Sequence, residues 1–301
     1  MSLLVVGSIA LDSVRTPCGE AEDVLGGSAV YFCCAAALFT QTRLVGVVGD
    51  DFPEAHRKLL AQRGVDARGL VVRRGRTFRW RGAYEGDMSS ARTVAVELNV
   101  FRDFEPEIPA EFRDSSFAFL ANGSPALQRH VRRQLERRAF VVADTMNHWI
   151  ENARDELRAL LAEVDGVVLN DAEARSLSGR QNLAHAAKEI LAMGPRLVVI
   201  KKGEHGAVLM TGEEHFAAPA FPTLDVVDPT GAGDSFAGGM MGCLASAGRS
   251  DLSTLRRAIV YGSVVASFAV EGFSVAGLCA ADRSAVDARF RKLVDMMRVE
   301  G

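Results

Sequence analysis

The sequence of 301 residues lacks the features that define several classes of protein. Its net charge is only −3, so no strong basic field would draw it to nucleic acid or to an acidic lipid surface. The longest uncharged stretch, residues 24–42, is strongly apolar only over Ala29–Phe39, which is too short to span a bilayer. The N-terminus lacks the basic region of a secretory signal. We therefore expect a cytoplasmic protein with no nucleic-acid or membrane partner.

Cysteine and histidine are too scattered for a disulfide framework or a metal cluster. The five cysteines are an odd number without a Cys-x-x-Cys pair, and Cys33 and Cys34 are adjacent in an apolar segment. The six histidines show no metal-ligand spacing. No Gly-x-Gly-x-x-Gly follows the first apolar run, which sets aside a dinucleotide-dependent oxidoreductase. These absences fit a reducing compartment.

The sequence does contain a regular alternation of short apolar runs and amphipathic segments. Buried strands are predicted at Leu3–Gly7, Arg43–Gly49, Phe117–Asn122, Phe140–Asp144, Gly166–Asn170 and Arg196–Lys201. Helices are predicted at Ala29–Phe39, Pro53–Arg63, Ala126–Glu136, Ala153–Glu163, Leu183–Met193, Gly233–Ala247, Leu252–Val270 and Asp282–Met297. This alternation predicts an α/β fold with a mainly parallel sheet covered by helices on both faces.

Two segments interrupt the alternation. Residues 12–25 are polar and rich in turns, and residues 71–98 read as an antiparallel hairpin, "TFRWRGAY" and "RTVAVEL" around the turn "EGDMSSA". Because a lone hairpin is scarcely stable in water, we expect the two insertions to form one small sheet. Such a sheet would serve as a lid over a substrate, as an interface between two copies of the chain, or as both. Its aromatic residues Phe78, Trp80 and Tyr84 suit packing or a stacked base.

The stretch "DVVDPTGAGDSFAGG", residues 225–239, places a carboxylate among residues that offer mainly backbone N–H groups. Gly231 and Gly233 let a ligand approach the backbone closely, and the free N–H groups of the helix that starts here favour an anion. Asp234 has two interpretations: it caps the helix, or it lies beside a bound phosphate and accepts a proton. The spacing alone favours the cap, whereas a phosphate site with a base beside it accounts for every residue of the stretch.

This stretch, as "DPTGAGDSFAGGMM", resembles the C-terminal signature of the ribokinase-like (PfkB) carbohydrate kinase family. The segments "VVGSIALD", "GGS", "VGVVGDD", "NDAE" and "KKG" extend the resemblance, in family order, over nearly the whole chain. The resemblance implies a three-layer α/β/α kinase domain over residues 1–301, with a mainly parallel central sheet and a small β-sheet lid. It implies phosphoryl transfer from ATP, with Asp234 as general base and the backbone of Gly231, Ala232 and Gly233 as an anion hole.

The same resemblance implies roles for residues that bind the acceptor. Asp12 would bind sugar hydroxyls, and Gly26 and Gly27 would let the backbone approach the substrate. From the residues alone, Asp12 is a loop or cap residue and the glycines form a turn. Asn147 matches the asparagine of a D-x-N-x-R pattern, here "DTMNHW" with Trp149 in place of arginine. Tyr31 is a second departure, at a position where the family signature has asparagine.

Other matching positions concern ATP and cations. Asn170 and Glu173 match the family's N-x-x-E motif, which organises hydrated Mg²⁺ and the nucleotide phosphates; from the residues alone they form a capping box. Lys201 and Gly203 take the phosphate-proximal position, where the lysine would neutralise ATP oxygens. Asp228 matches a carboxylate beside a monovalent cation, so K⁺ is a candidate second cation. The adjoining loop "EGFS", residues 271–274, departs from the family's lysine-glycine-alanine pattern.

We therefore expect an ATP- and Mg²⁺-dependent kinase for a hydroxymethyl group of a sugar or sugar-like small molecule. A nucleoside kinase of the same family is the alternative among enzymes. A phosphosugar acceptor is less favoured, because the sequence identifies no pair of basic residues in the pocket to bind its phosphate. The arginines between Arg73 and Arg81 leave this acceptor as an alternative. Outside the enzymes the alternative is a metabolite sensor on this fold, and the intact Asp234 argues against it.

Overall fold

The computed structural model describes residues 1–298, and its strands form two sheets. In chain order the strands are β1 (Leu3–Val6), β2 (Ala10–Thr16), β3 (Gly19–Gly26), β4 (Thr42–Gly49), β5 (Val65–Arg73), β6 (Phe78–Tyr84), β7 (Ala91–Glu97), β8 (Phe117–Leu120), β9 (Phe140–Asp144), β10 (Gly166–Asn170), β11 (Leu197–Lys201), β12 (Ala207–Thr211) and β13 (His215–Ala218).

The helices alternate with the strands over most of the chain. They are α1 (Ser28–Ala36), α2 (Glu54–Gln62), α3 (Pro125–Gln134), α4 (Asn147–Asn152), α5 (Arg154–Leu161), α6 (Asp171–Ser178), α7 (Leu183–Leu191), α8 (Ala232–Ala247), α9 (Leu252–Ala269), α10 (Ala276–Ala280) and α11 (Arg283–Met296). Among residues 1–298, none of these helices combines the length and the apolar character needed to cross a bilayer.

The larger sheet has nine strands in the order β13-β12-β11-β10-β9-β8-β1-β4-β5. Its strands from β11 to β5 pair in parallel, and β12 and β13 add an antiparallel edge. The α/β fold class was predicted correctly. The prediction missed β5, whose sequence "VDARGLVVR" is interrupted by charges as expected of an edge strand, and it also missed β12 and β13.

Apolar side chains cover both faces of this sheet. Leu3 and Val5 of β1 join a core with α1, α8 and α9, whereas Leu4 and Val6 join a second core with α3, α5, α6 and α7. Alternate residues of a strand point to opposite faces, so such a strand reads as a continuous apolar run. Because helices pack on both faces of the larger sheet, its polar side chains can reach a ligand only at the ends of the strands.

The smaller sheet has four strands in the order β3-β2-β6-β7. It combines the segments 10–26 and 78–97, so residues 71–73, expected at the start of the second insertion, belong instead to β5 of the larger sheet. It contacts the segment before α8: Thr16 Oγ1 donates to Val227 O at 2.8 Å, and Thr230 Oγ1 lies 3.3 Å from the Tyr84 hydroxyl. The smaller sheet therefore lies beside the glycine-rich stretch.

Candidate active site

Three polar side chains lie at the carboxyl ends of adjacent parallel strands. Asp144 ends β9, Asn170 ends β10 and Lys201 ends β11, and the strand register pairs Asn170 directly with Lys201. The carboxyl ends of parallel strands meet at one edge of the sheet, which is where α/β proteins bind ligands. Helix α8 begins beside this edge, since Gly233 at its start adjoins the Lys201 ammonium.

The turn into α8 leaves backbone amides without partners. Gly231 has φ 73°, and a Cβ on it would lie 2.3 Å from Cγ of Tyr31, so both the backbone and the Tyr31 ring require glycine. The Ala232 amide donates to Pro229 O at 3.1 Å. The amides of Gly231, Gly233 and Asp234 donate to no group within residues 1–298. A turn of this kind at a helix N-terminus suits an anion.

Asp234 is the third residue of α8, and its carboxylate makes no capping hydrogen bond. The structure thus gives no support to the interpretation of this residue as a helix cap. Burial raises the pKa of Asp234 to about 7, the charge of Asp144 acts in the same direction, and Lys201 opposes them. A half-buried carboxylate with such a pKa, beside open backbone amides, suits general-base chemistry near neutral pH.

Lys201 lies among carboxylates and is not the solvated surface residue that a lysine usually is. Its side chain is only 17% exposed, and its Nζ lies 3.8 Å from Oδ1 of Asp144. A Cβ on Gly233 would lie 2.8 Å from this Nζ, so the ammonium rests against the start of α8. Burial opposes the charged form, but Asp144, Glu173 and Asp234 outweigh it and raise the pKa of Lys201. The amine stays cationic beside the open amides at the start of α8.

Asp12 lies in β2 of the smaller sheet and is held by the glycine pair. Its Oδ2 accepts from the Gly27 amide at 3.3 Å, and a Cβ on Gly26 would lie 1.9 Å from that same oxygen. Gly27 itself has φ 95°. Burial raises the pKa of Asp12 to about 7. The hydrogen bond from the Gly27 amide lowers this pKa, and the charge of Asp228 raises it further. The glycines therefore place a buried carboxylate, 4% exposed, beside the end of β3 and the start of α1.

Asn170 and Glu173 form the capping box of α6. Asn170 Oδ1 accepts from the Glu173 amide at 2.8 Å, and Glu173 Oε2 accepts from the Asn170 amide at 2.7 Å. Glu173 Oε1 accepts no hydrogen bond from residues 1–298, so it is free for water around a cation. No cluster of three or more acidic, cysteine or histidine side chains in this part of the chain could hold a metal directly. The residues therefore fit Mg²⁺ bound through water, as this ion commonly is.

Asp228 precedes the glycine-rich turn and has one orphaned oxygen. Oδ1 accepts from the Thr230 amide at 2.9 Å, while Oδ2 is buried and has no hydrogen-bond partner within residues 1–298. Because a buried carboxylate oxygen without a partner is costly, this position fits a bound cation. The side chain is 1% exposed, so any such cation would be largely dehydrated.

Asn147 and Gly203 are less closely tied to this group of residues. Asn147 starts α4 with an exposed side chain that forms no hydrogen bond within residues 1–298. Trp149, which replaces the family's arginine, donates from Nε1 to Asn122 Oδ1 at 3.0 Å. Gly203, with φ 56°, opens the turn after β11. Gly203 follows the end of β11 by two residues, and Asn147 follows the end of β9 by three.

Asp144 was not among the predicted site residues, and Tyr31 and Tyr84 were named without the contacts that the structure gives them. Asp144 ends a predicted strand, as the terminal residue of "FVVAD", and that position was the available signal. Tyr31 is fully buried against Gly231, and the Tyr84 hydroxyl reaches Thr230; both contacts join segments far apart in the chain. Phe78 stacks on Phe101, with ring centroids 5.6 Å apart, and the Trp80 ring lies over Gly82, whereas the Tyr84 hydroxyl contacts the glycine-rich stretch through Thr230.

The chain is similar in sequence and in fold to known kinases. A family model described as pfkB family carbohydrate kinase matches residues 2–280. A cytidine kinase from Thermococcus kodakarensis is 30% identical over 246 residues, which cover 80% of this chain and 87% of that one. A Burkholderia thailandensis nucleoside kinase solved with inosine has TM-score 0.82 at 19% identity and covers 97% of this chain and 99% of its own. A double mutant of Vibrio cholerae fructokinase, with fructose, ADP and a potassium ion bound, has TM-score 0.81 at 20% identity and covers 96% and 98%.

Proposed function

The chain belongs to the pfkB family of carbohydrate kinases, and on that premise we propose that it transfers the γ-phosphate of ATP to a hydroxymethyl group of a sugar or sugar-like substrate. It is a phosphotransferase with an alcohol group as acceptor. One observation supports the proposal above all. The Asp234 carboxylate makes no capping hydrogen bond and lies beside open backbone amides at the start of α8. We treat the larger sheet, its helices and the smaller sheet as one kinase domain.

The proposed step needs little covalent help from the protein. Asp234 accepts the proton of the acceptor hydroxyl as its oxygen attacks the γ-phosphorus, and ADP leaves. The open amides at Gly231, Gly233 and Asp234 and the Lys201 ammonium neutralise charge on the moving phosphoryl group. Because the transition state of phosphoryl transfer is loose, alignment and charge neutralisation supply most of the rate.

Glu173, Asn170 and Gly203 are the proposed residues on the nucleotide side. Mg²⁺, when bound, would neutralise phosphate oxygens, and Glu173 would hold it through water. The capping box fixes the Glu173 carboxylate at one oxygen and leaves the other without a hydrogen bond to residues 1–298. The structural and the functional interpretations of this motif are therefore compatible.

Asp12 is the proposed anchor for the acceptor, with Gly26, Gly27 and Asn147 beside it. A carboxylate can accept hydrogen bonds from two adjacent hydroxyls, as a sugar or ribose presents. The smaller sheet, with Tyr84 against Thr230, would close over the acceptor and exclude water from the phosphoryl group. A nucleoside is the second candidate acceptor, favoured by the 30% identity to a cytidine kinase.

A substrate panel tests this function. The protein is incubated with ATP, Mg²⁺ and one acceptor at a time from sugars, phosphosugars and nucleosides, and ADP release is followed against a reaction without acceptor. The proposal requires that at least one sugar or nucleoside raises ADP release well above that blank. ATP binding without turnover across the whole panel would instead favour the metabolite sensor.

We expect K⁺ to stimulate the reaction through Asp228. The buried, unpartnered Oδ2 suits a monovalent cation, and coupling between two bound ligands is typically about 5–150-fold. Turnover should rise by about fivefold or more when K⁺ replaces tetramethylammonium at constant ionic strength. Asp228→Asn should abolish this stimulation, whereas Asp225→Asn, an exposed neighbour in the same segment, should retain it. Equal rates in both salts would show that K⁺ does not stimulate the reaction.

We also propose a homodimer formed through the smaller sheet. All of β7 is exposed at the edge of that sheet, and Val94 and Val96 are each 51% exposed. Open edge strands invite pairing with another chain. Sedimentation should show a dimer that Val96→Lys converts to monomer, with the melting temperature little changed. Val72→Lys is the matched control, since Val72 is also 51% exposed on an edge strand, β5 of the larger sheet. A dimer that Val72→Lys dissociates and Val96→Lys does not would show that the interface does not involve the smaller sheet.

We propose a cytoplasmic location for the reaction. The odd number of cysteines and the lack of a Cys-x-x-Cys pair support this proposal, because both are typical of a protein in a reducing compartment.

A further inference from the structure

Asp144 is a buried carboxyl group to which the proposed reaction gives no role; burial raises its pKa, and the Lys201 ammonium opposes that shift. Asp144 ends β9, is 6% exposed, and its Oδ1 accepts no hydrogen bond within residues 1–298. A buried carboxylate oxygen without a hydrogen bond is unfavourable unless a charge nearby compensates for it. The compensating charge here is the Lys201 ammonium, with Nζ 3.8 Å from that oxygen.

The position of this ammonium matters because three carboxylates surround it. Asp144, Glu173 and Asp234 all act on the charge of Lys201, yet among the carboxylates of residues 1–298 only that of Asp144 comes within 4.0 Å of Nζ. The three N–H donors of Lys201 form no hydrogen bond in this part of the chain, so they are free for a phosphoryl group. The ammonium is held close to the anion site without being paired to the base.

We propose that Asp144 is a positioning residue that holds the Lys201 ammonium beside the anion site and away from Asp234. Coulomb attraction grows as distance falls, so the nearest carboxylate determines where the ammonium rests. Without the Asp144 charge, Lys201 is left with Asp234 and Glu173 as partners. Pairing with Asp234 would occupy the proton acceptor and move the cation away from the phosphoryl group. This inference rests on the proposed function, in which Asp234 is the base.

The test is a double-mutant cycle on the full-length protein. The variants are Asp144→Asn, Lys201→Met and the combination, with kcat and both KM values measured for the best acceptor of the panel. We expect Asp144→Asn to lower kcat about 10²-fold, as a misplacement of about 1 Å does, with the acceptor KM nearly unchanged. In the Lys201→Met background the same substitution should lower kcat little, because it acts through the missing ammonium. Asp144→Glu, which keeps the charge, should recover most of kcat.

The matched control is Asp165, which pairs with Arg196 across β10 and β11 at the opposite ends of these strands. Asp165→Asn should leave kcat unchanged. Equal kcat losses from Asp144→Asn in both backgrounds, or no loss, would overturn the positioning role. If Asp144→Asn fails to fold, the double variant is tested in its place. A double variant that folds and has the kcat of Lys201→Met supports the proposal. A double variant that fails to fold shows that Asp144 has a structural role and overturns the proposal. A wild-type protein without turnover on any acceptor would refute the proposed function itself, which is a separate outcome.

Discussion

Asp234→Asn is expected to lower kcat by about 10²–10⁴-fold, the usual contribution of a general base, while ATP affinity stays close to that of the wild type. Asparagine keeps the size and the polarity of the side chain but cannot accept the hydroxyl proton at neutral pH. Since the carboxylate makes no capping hydrogen bond, its loss should not destabilise α8. The measurements are steady-state kcat and calorimetric titration with a non-hydrolysable ATP analogue.

The pH dependence provides a second readout of the same residue. Because burial, aided by the charge of Asp144, raises the pKa of Asp234 to about 7, the fraction of ionised base falls as the pH drops through that value. Wild-type kcat should therefore decline below about pH 7, and this acid limb should disappear from the residual activity of Asp234→Asn. Asp225→Asn, in the same segment but exposed, should behave like the wild type. A fully active Asp234→Asn protein would leave this residue with no catalytic role.

Asp12→Ala is expected to raise the acceptor KM by roughly one to two decades without a comparable change in the KM for ATP. A hydrogen bond to a charged group contributes about 1.5–3 kcal/mol, which corresponds to that range of affinity. The Gly27 amide loses its acceptor in the variant, so a thermal melt should accompany the kinetics. A selective effect on the acceptor would show that the carboxylate contacts it.

Glu22→Gln is the matched control for Asp12→Ala. Glu22 lies on β3 of the same sheet, but its side chain is exposed, so its replacement should alter neither KM. Gly26→Ala gives an independent perturbation, because the added Cβ would lie 1.9 Å from Oδ2 of Asp12 and would have to displace it. This variant should reproduce the acceptor defect with the Asp12 carboxylate still present. If Asp12→Ala raised both KM values equally, the residue would be structural.

Much of the fold could be predicted because buried parallel strands and amphipathic helices leave strong local patterns. The runs "LLVVG" and "GVVLN" correspond to β1 and β10, and the glycine-rich stretch corresponds to the turn into α8. β5 could not be predicted this way, since an edge strand is covered on one side only and carries charges among its apolar residues. Local pattern therefore predicts the centre of a sheet better than its edges.

The site was predicted only in part, for a related reason. Asp234, Gly231 and Asp228 lie in one contiguous stretch, and local chemistry singles it out. The Asp144–Lys201 pair and the contact of Tyr31 with Gly231 depend on the order of strands in the sheet and on the packing of α1 against α8. The sequence alone also offered a helix cap for Asp234, and the side-chain geometry was needed to decide against it.

Identification of the phosphorylated product shows whether the protein transfers a phosphoryl group to a hydroxymethyl group. The best acceptor is converted with ATP and Mg²⁺, and the product is examined by mass spectrometry and by proton-coupled ³¹P NMR. Transfer to a hydroxymethyl group predicts the mass of one added phosphoryl group and a phosphorus signal split into a triplet by two methylene protons. ATP converted only to ADP and inorganic phosphate, or a phosphorus signal split into a doublet by a secondary carbinol proton, would contradict it.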